Sequence, residues 1–75
     1  MTLVPRLDSK ALFAAMDRKR AEQGLTWQDV ARLTGVSSAT LKRTSEGGRL
    51  EVDGMLAMVA WLGVPVETFV RQSPR

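Results

Sequence analysis

Glycine residues divide this chain into short segments. Gly24, Gly35, the pair Gly47-Gly48 and Gly63 each follow a proline-free run long enough for only a few helical turns. Glycine often ends a helix, because it adopts the left-handed backbone conformation without a steric penalty. We therefore expect several short helices joined by tight turns, in a chain of 75 residues that is too short for more than one domain.

Polar residues stand where these helices would begin. Asp8 or Ser9, Thr26 and Ser37 can each cap a helix, since a short side-chain oxygen accepts hydrogen bonds from the free N–H groups of the first turn. Pro65 fits the first position of a last helix, because that position needs no N–H donor. The pattern predicts helices over residues 10–23, 27–34, 38–46, 52–62 and 66–71.

The predicted fold class is therefore all-α, with five helices. The helical domain would cover residues 9–71, after an extended N-terminal arm at residues 1–8 and before a C-terminal tail at residues 72–75. The only strand-like stretch is Thr2-Leu3-Val4, which Pro5 is expected to stop.

Composition excludes several kinds of chemistry. The chain has no cysteine and no histidine, so disulfides, thiolate–metal sites, the commonest metal ligand and the commonest general base are all missing. The carboxylates of Asp8, Asp29 and Asp53 fall singly in cap or surface positions, with no inward-facing pair. We expect no enzyme activity, no metal, no cofactor and no small-molecule ligand.

Neither a membrane span nor a signal peptide is expected. The longest apolar run, residues 55–62, is far shorter than the roughly 20 residues that a span needs. The first residues contain no charged region followed by an apolar stretch. The expected location is the cytoplasm.

Positive charge is concentrated in the first two-thirds of the chain. The net charge is +3, with a pI near 10.2. Residues 1–50 hold nine basic and five acidic side chains, whereas residues 51–75 hold two basic and three acidic ones. This balance favours a polyanionic partner for the first two-thirds.

Residues 26–43 carry the most informative pattern. Two short predicted helices meet at Gly35-Val36-Ser37, where glycine ends the first helix, Val36 fills the corner and Ser37 caps the second. Ala31 is small enough for a close crossing, and Leu41 would point back toward it. This spacing is typical of a helix-turn-helix.

The arrangement resembles the phage-repressor/Cro type of helix-turn-helix, the Xre family of small prokaryotic regulators. The resemblance runs from about Leu12 to Phe69. Its strongest parts are Gly24-Leu25-Thr26, Val30-Ala31 with Gly35-Val36-Ser37, Thr40-Leu41-Lys42-Arg43, Gly47-Gly48, and Leu62-Gly63-Val64 with Phe69. It implies a five-helix bundle of bacterial or phage origin that places its second motif helix in the major groove of double-stranded DNA.

The resemblance also implies roles for particular residues. The residues that would face base edges are Ser38, Ala39, Lys42 and Arg43, of which Arg43 can pair with guanine through two hydrogen bonds. The residues that would contact the DNA backbone are Thr26, Gln28, Ser37, Thr40 and Arg49.

Two positions depart from the family pattern. Trp27 stands where the family often has a phosphate-clamping glutamine, and it is expected to pack on the arm or the first helix instead. Ser45 stands where the family often has a glutamate that pairs with the arginine matching Arg20. Arg20 is therefore free for a structural role or for DNA.

The fourth helix is apolar nearly all round, which predicts a partner surface. The family commonly dimerises through its last helices, so the expected dimer interface contains Leu56, Ala60, Trp61, Val66, Phe69 and Val70. The resulting prediction is a transcriptional repressor that binds a palindromic operator as a homodimer. The alternative is a protein-binding module of the same fold, an antitoxin or accessory subunit, that uses the last two helices.

Overall fold

A computed structural model describes residues 2–74 of the chain. The elements in chain order are β1 (Leu3–Leu7), α1 (Ser9–Glu22), α2 (Trp27–Thr34), α3 (Ser38–Ser45), α4 (Val52–Leu62), a 3-10 turn (Val66–Phe69) and β2 (Val70–Pro74). Met1 and Arg75, the outermost residues of the predicted arm and tail, lie outside the described residues.

The predicted all-α fold with five helices is wrong. Residues 2–74 form four α-helices and a two-stranded antiparallel sheet. The predicted fifth helix, 66–71, is only a 3-10 turn over Val66–Phe69, and the chain then extends into β2. The predicted arm supplies β1, whereas β2 combines the last two residues of the predicted fifth helix with residues 72–74 of the predicted tail. The β2 strand gains its hydrogen-bond partners from β1, at the other end of the chain, which a local pattern cannot reveal.

Pro5 does not stop the first strand, contrary to the expectation from sequence. Leu3 lies opposite Pro74 and Leu7 opposite Val70, and the Asp8 N–H continues the ladder by donating to the Phe69 carbonyl at 2.7 Å. Hydrogen-bonded and non-hydrogen-bonded pairs alternate in an antiparallel sheet, so Pro5 falls in a non-hydrogen-bonded pair. Its missing N–H would have faced the open edge, where proline is tolerated.

The predicted helix caps are confirmed. The Asp8 carboxylate accepts from the Ala11 N–H at 3.1 Å, and the Ser37 hydroxyl oxygen accepts from the Thr40 N–H at 3.2 Å. The Thr26 hydroxyl oxygen accepts from the Asp29 N–H, while the Asp29 carboxylate accepts from the Thr26 N–H. This reciprocal pair is a capping box and fixes the start of α2.

One hydrophobic core joins all four α-helices and the 3-10 turn. Its buried members are Leu12, Met16, Val30, Val36, Leu41, Met58, Val59 and Phe69. Both α1 and α2 pack against α3 and α4. Because α3 is held on its inner side by two helices, its outer side is left to solvent.

Acid is expected to weaken the start of α2. Hydrogen bonds from the Thr26 backbone and side chain, followed by the one from Arg32, hold the pKa of Asp29 below its ordinary value. The stabilisation is therefore present above the unfolded-state pKa and is lost as pH falls through the lower folded-state pKa. We expect Asp29→Asn to remove part of the pH dependence of unfolding below about pH 4. Denaturant titrations from acid to neutral pH measure this, and identical pH dependence in both proteins would contradict it.

Candidate nucleic-acid interface

One face of α3 is free and carries all four residues predicted to read bases. Ser38, Ala39, Lys42 and Arg43 are exposed, whereas Leu41 on the same helix is buried. Thr44 is also buried, and its hydroxyl donates to the Thr40 carbonyl at 2.8 Å and contacts the sulfur of Met58. The inner face thus fixes the helix, and the outer face presents two cations and two small side chains.

The turn before α3 has the predicted geometry. Gly35 has a φ of +74°, and its N–H donates to the Ala31 carbonyl at 2.9 Å. Val36 is buried in the corner, and its N–H donates to the Thr34 hydroxyl. A residue with a β-carbon would be strained at the φ of Gly35, so this glycine sets the direction in which α3 leaves α2.

The residues predicted to contact the DNA backbone lie on α2 and α3, in the turn between them, and in the loops on either side. Thr26, Gln28, Ser37 and Arg49 are exposed, and Thr40 is half-buried. Thr26 and Ser37 already cap helices through their hydroxyl oxygens, and the Ser37 hydroxyl also donates to Thr40. Among residues 2–74, the side chains of Gln28 and Arg49 make no hydrogen bond within the protein and remain available to a ligand.

Trp27 packs on the first helix, one of the two places expected for it. Its ring stacks on Phe13 with the ring centroids 4.6 Å apart and an angle of 14° between the planes. The Arg20 guanidinium lies 5.2 Å from the centre of the Trp27 ring. This stack forms an apolar brace between α1 and α2.

Arg20 has a structural role. Its guanidinium donates twice to the Asp17 carboxylate, at 2.7 and 3.0 Å, and once to the Leu25 carbonyl at 2.9 Å. It therefore ties the end of α1 to the loop before α2. The signal that could have found this is Asp17, which lies three residues before Arg20 on one helix face.

The cations of α3 lack acidic partners. The ion pairs in the described part of the chain join Arg20 to Asp17 and Arg32 to Asp29, so neither Lys42 nor Arg43 has a carboxylate within 4.0 Å there. Lys42 also borders an apolar groove of about 200 Å³, which the sequence did not reveal. Phe13, Trp27, Ser38 and Leu41 complete its lining.

The six residues of the predicted dimer interface do not form one uniform surface. Leu56 is 48% exposed, and Ala60 and Val70 are also exposed. Trp61 and Val66 are half-buried, and Lys19 covers the Trp61 ring, with its ammonium 4.6 Å from the ring centre and donating to the Trp61 carbonyl. Phe69 is only 7% exposed and belongs to the core.

Residues 2–74 contain no group of three or more acidic side chains placed to hold a metal ion. Over the same residues, every helix is too short or too polar to cross a membrane. No protein-family model, curated protein or solved structure matches the chain.

Proposed function

We propose that this protein binds double-stranded DNA with sequence preference through α3 and acts as a transcriptional regulator, most simply a repressor. The observation that carries the proposal is the outer face of α3. It combines exposed, unpaired Lys42 and Arg43 with the small side chains of Ser38 and Ala39. An α-helix fits the major groove, and small residues at its N-terminal end allow the backbone to approach the bases.

Arg43 is the residue that reads sequence in this proposal. A guanidinium presents two parallel donors that match the two acceptors on the major-groove edge of guanine. The Lys42 ammonium donates a further hydrogen bond, either to a base or to a phosphate. Both residues lie in the last turn of α3, so their long side chains would reach past the small residues at its start.

Phosphates would be held at the helix starts on either side of the turn. Thr26 caps α2 and Ser37 caps α3 through hydrogen bonds to the third residue of each helix, which leaves earlier N–H groups of both first turns for an anion. Gln28, Thr40 and Arg49 would add side-chain donors. These contacts would orient the protein on the duplex without selecting its sequence.

In this proposal the protein is an Xre-type regulator in which a 3-10 turn and a strand follow α4. In the proposal it acts as a homodimer on a palindromic site in the cytoplasm. The exposed Leu56 and Ala60 on α4 and Val70 on β2 support a dimer contact. Phe69 is left out of this contact because it is buried in the core.

The second candidate is a protein-binding module, an antitoxin or accessory subunit. The observation that favours it is the apolar outer side of α4, where Leu56 and Val52 are exposed. Salt separates the two candidates. DNA affinity through several phosphate contacts should fall steeply between about 50 and 200 mM salt, whereas an apolar protein contact should hardly change. Fluorescence anisotropy with labelled duplexes measures this, and an affinity that does not depend on salt would contradict the DNA proposal.

Gly48→Ala is expected to weaken specific DNA binding without unfolding the protein. A β-carbon at Gly48 would lie 2.7 Å from Cγ of Arg43 and 3.3 Å from its carbonyl oxygen, so the Arg43 side chain must leave its position. Holding a side chain off its preferred rotamer costs about 0.5–1.5 kcal/mol, which corresponds to a loss of affinity of roughly twofold to tenfold.

Gly54→Ala is the matched control for this prediction. Its new β-carbon would meet only Cγ2 of Thr40, at an ordinary 3.8 Å, and alanine is favoured over glycine inside a helix. The control should keep full DNA affinity and gain stability. Equal DNA affinity of the two variants would show that the Arg43 position does not matter.

A further inference from the structure

Two arginines lie opposite each other on the two-stranded sheet. Arg6 of β1 is the direct partner of Arg71 of β2, and both are exposed. Asp8 and Phe69 form a hydrogen-bonded pair, and pair types alternate along the ladder, so Arg6 and Arg71 form the next hydrogen-bonded pair. Their Cα atoms are therefore about 5.5 Å apart, and both side chains lie on the same face of the sheet. Like charges in this arrangement destabilise a sheet.

A third arginine faces the same space. Arg6, Arg49 and Arg71 line an open groove of about 470 Å³ between the sheet and the loop that joins α3 to α4. The apolar side chains of the lining are Leu7, Leu50, Val52 and Met55, with Pro5, Gly47, Gly48 and Ser73 completing it. The lining residues thus include three arginines and no acidic residue.

An adjoining groove contains two acidic residues. Arg71 also lines this second space, of about 690 Å³, together with Lys10, Asp8 and Glu46. The Asp8 carboxylate caps α1. Over residues 2–74, no carboxylate lies within 4.0 Å of Arg6, Arg49 or Arg71, so these arginines form no ion pair in the described part of the protein.

We propose that the groove formed by Arg6, Arg49 and Arg71 binds phosphate groups, supplied by the DNA backbone outside the base pairs that α3 covers. The planar guanidinium matches two phosphate oxygens at once. Gly48 lines the groove and lies against Arg43 on the α3 face, so the groove continues the DNA-facing surface. This inference rests on the proposed function and assigns the sheet a part in it.

A free phosphate compound offers the same chemistry as the DNA backbone. The two sources differ in whether the protein must bind a DNA duplex before phosphate enters the groove. Backbone phosphates reach the groove only when the duplex extends past the α3 site, whereas pyrophosphate would occupy it without DNA. The length of the duplex and a pyrophosphate titration therefore separate them.

The test compares Arg71→Gln with Arg18→Gln. Both variants remove one exposed positive charge, but Arg18 lies on α1 beside Leu62 and Thr68, outside this groove. The duplex probes share one palindromic sequence selected by the native protein, and they extend over about two or about four helical turns. On the longer duplex, Arg71→Gln should lose affinity on the order of tenfold, and the plot of log affinity against log salt should become less steep by about one for each protomer bound.

Three further results should accompany this loss. Arg18→Gln should bind like the native protein, and the shorter duplex should not distinguish the variants. The melting temperature of Arg71→Gln should be unchanged or higher, because the repulsion from Arg6 is removed. A purely structural role for Arg71 would instead lower the melting temperature.

Other outcomes would overturn the inference. Equal affinity of Arg71→Gln and Arg18→Gln on the longer duplex would exclude a backbone contact. If Arg71→Gln abolished pyrophosphate binding but left DNA affinity unchanged, the groove would bind a free phosphate compound and not the DNA backbone. If the native protein bound no duplex, the proposed function would fail. A pyrophosphate titration monitored by NMR would then test phosphate binding in the groove independently of DNA. If pyrophosphate did not bind either, the groove would not be a phosphate site.

Discussion

Replacing Arg43 with alanine should lower affinity for the preferred DNA site by about 1–3 kcal/mol and relax the sequence preference at one base pair. Arg43 is exposed in the last turn of α3 and has no acidic partner within 4.0 Å among residues 2–74. Its donors are therefore free for guanine. Losing them leaves the acceptors of that base without their partner, which is why the preferred site should suffer most.

The measurement is a comparison of the preferred site with a duplex of scrambled sequence. Arg43→Ala should lose more affinity on the preferred site than on the scrambled one, whereas Arg49→Ala should lose about the same on both, since Arg49 is assigned to the backbone. Equal losses for Arg43→Ala on the two duplexes would make Arg43 a phosphate contact. Circular dichroism should show native helix content in both variants, because neither side chain is buried.

Leu12→Ala should cost about 2–5 kcal/mol of stability, the largest effect that we expect from a single substitution. Leu12 lies on α1, is 0% exposed and belongs to the core shared by all four α-helices. Truncation removes apolar contacts and leaves a cavity that rigid neighbouring helices can close only in part. At roughly 0.05–0.15 kcal/mol per residue, a chain of this size has little stability to lose.

Leu33→Ala is the control for this substitution. It makes the same chemical change at a residue that is 58% exposed, so it should leave the free energy of unfolding nearly unchanged. Thermal and urea unfolding should show Leu12→Ala melting at least about 10 °C below the native protein. Comparable losses of stability in the two variants would contradict the assignment of Leu12 to the core and of Leu33 to the surface.

The helices were predictable because their signals are local. Thr26 caps α2 from one residue before it, and Gly35 ends it from one residue after it, so a short window of sequence contains both boundaries. The outer face of α3 was predictable for the same reason. Lys42 and Arg43 directly follow the inward-facing Leu41, and helical periodicity alone assigns them to the other side.

The sheet was not predictable because its partners lie at opposite ends of the chain. Val66, Val70 and Pro65 also fit a short helix, and only pairing with β1 makes the extended form of residues 70–74 favourable. Pro5 argued against a strand, yet its place in the register makes the missing N–H harmless. Both errors concern pairing between distant residues rather than local propensity.

Parts of the candidate site depend on the same distant contacts. The stack of Trp27 on Phe13 joins two helices, and sequence indicated only that Trp27 would pack on the arm or on α1. The pairing of Arg6 with Arg71 follows from the sheet register, and no pattern near either residue indicates it. By contrast, the Arg20–Asp17 ion pair lies within one helix turn and could have been predicted.

The central proposal is that α3 reads DNA sequence, and selection from a random duplex library tests it most directly. Purified native protein and Arg43→Ala are each used to recover bound duplexes, which are then sequenced. We predict that the native protein enriches a palindrome whose half-sites lie about 34 Å apart, and that Arg43→Ala loses the preference at one position in each half. Recovery of unselected sequence by the native protein, with no enrichment over the starting library, would contradict the proposal.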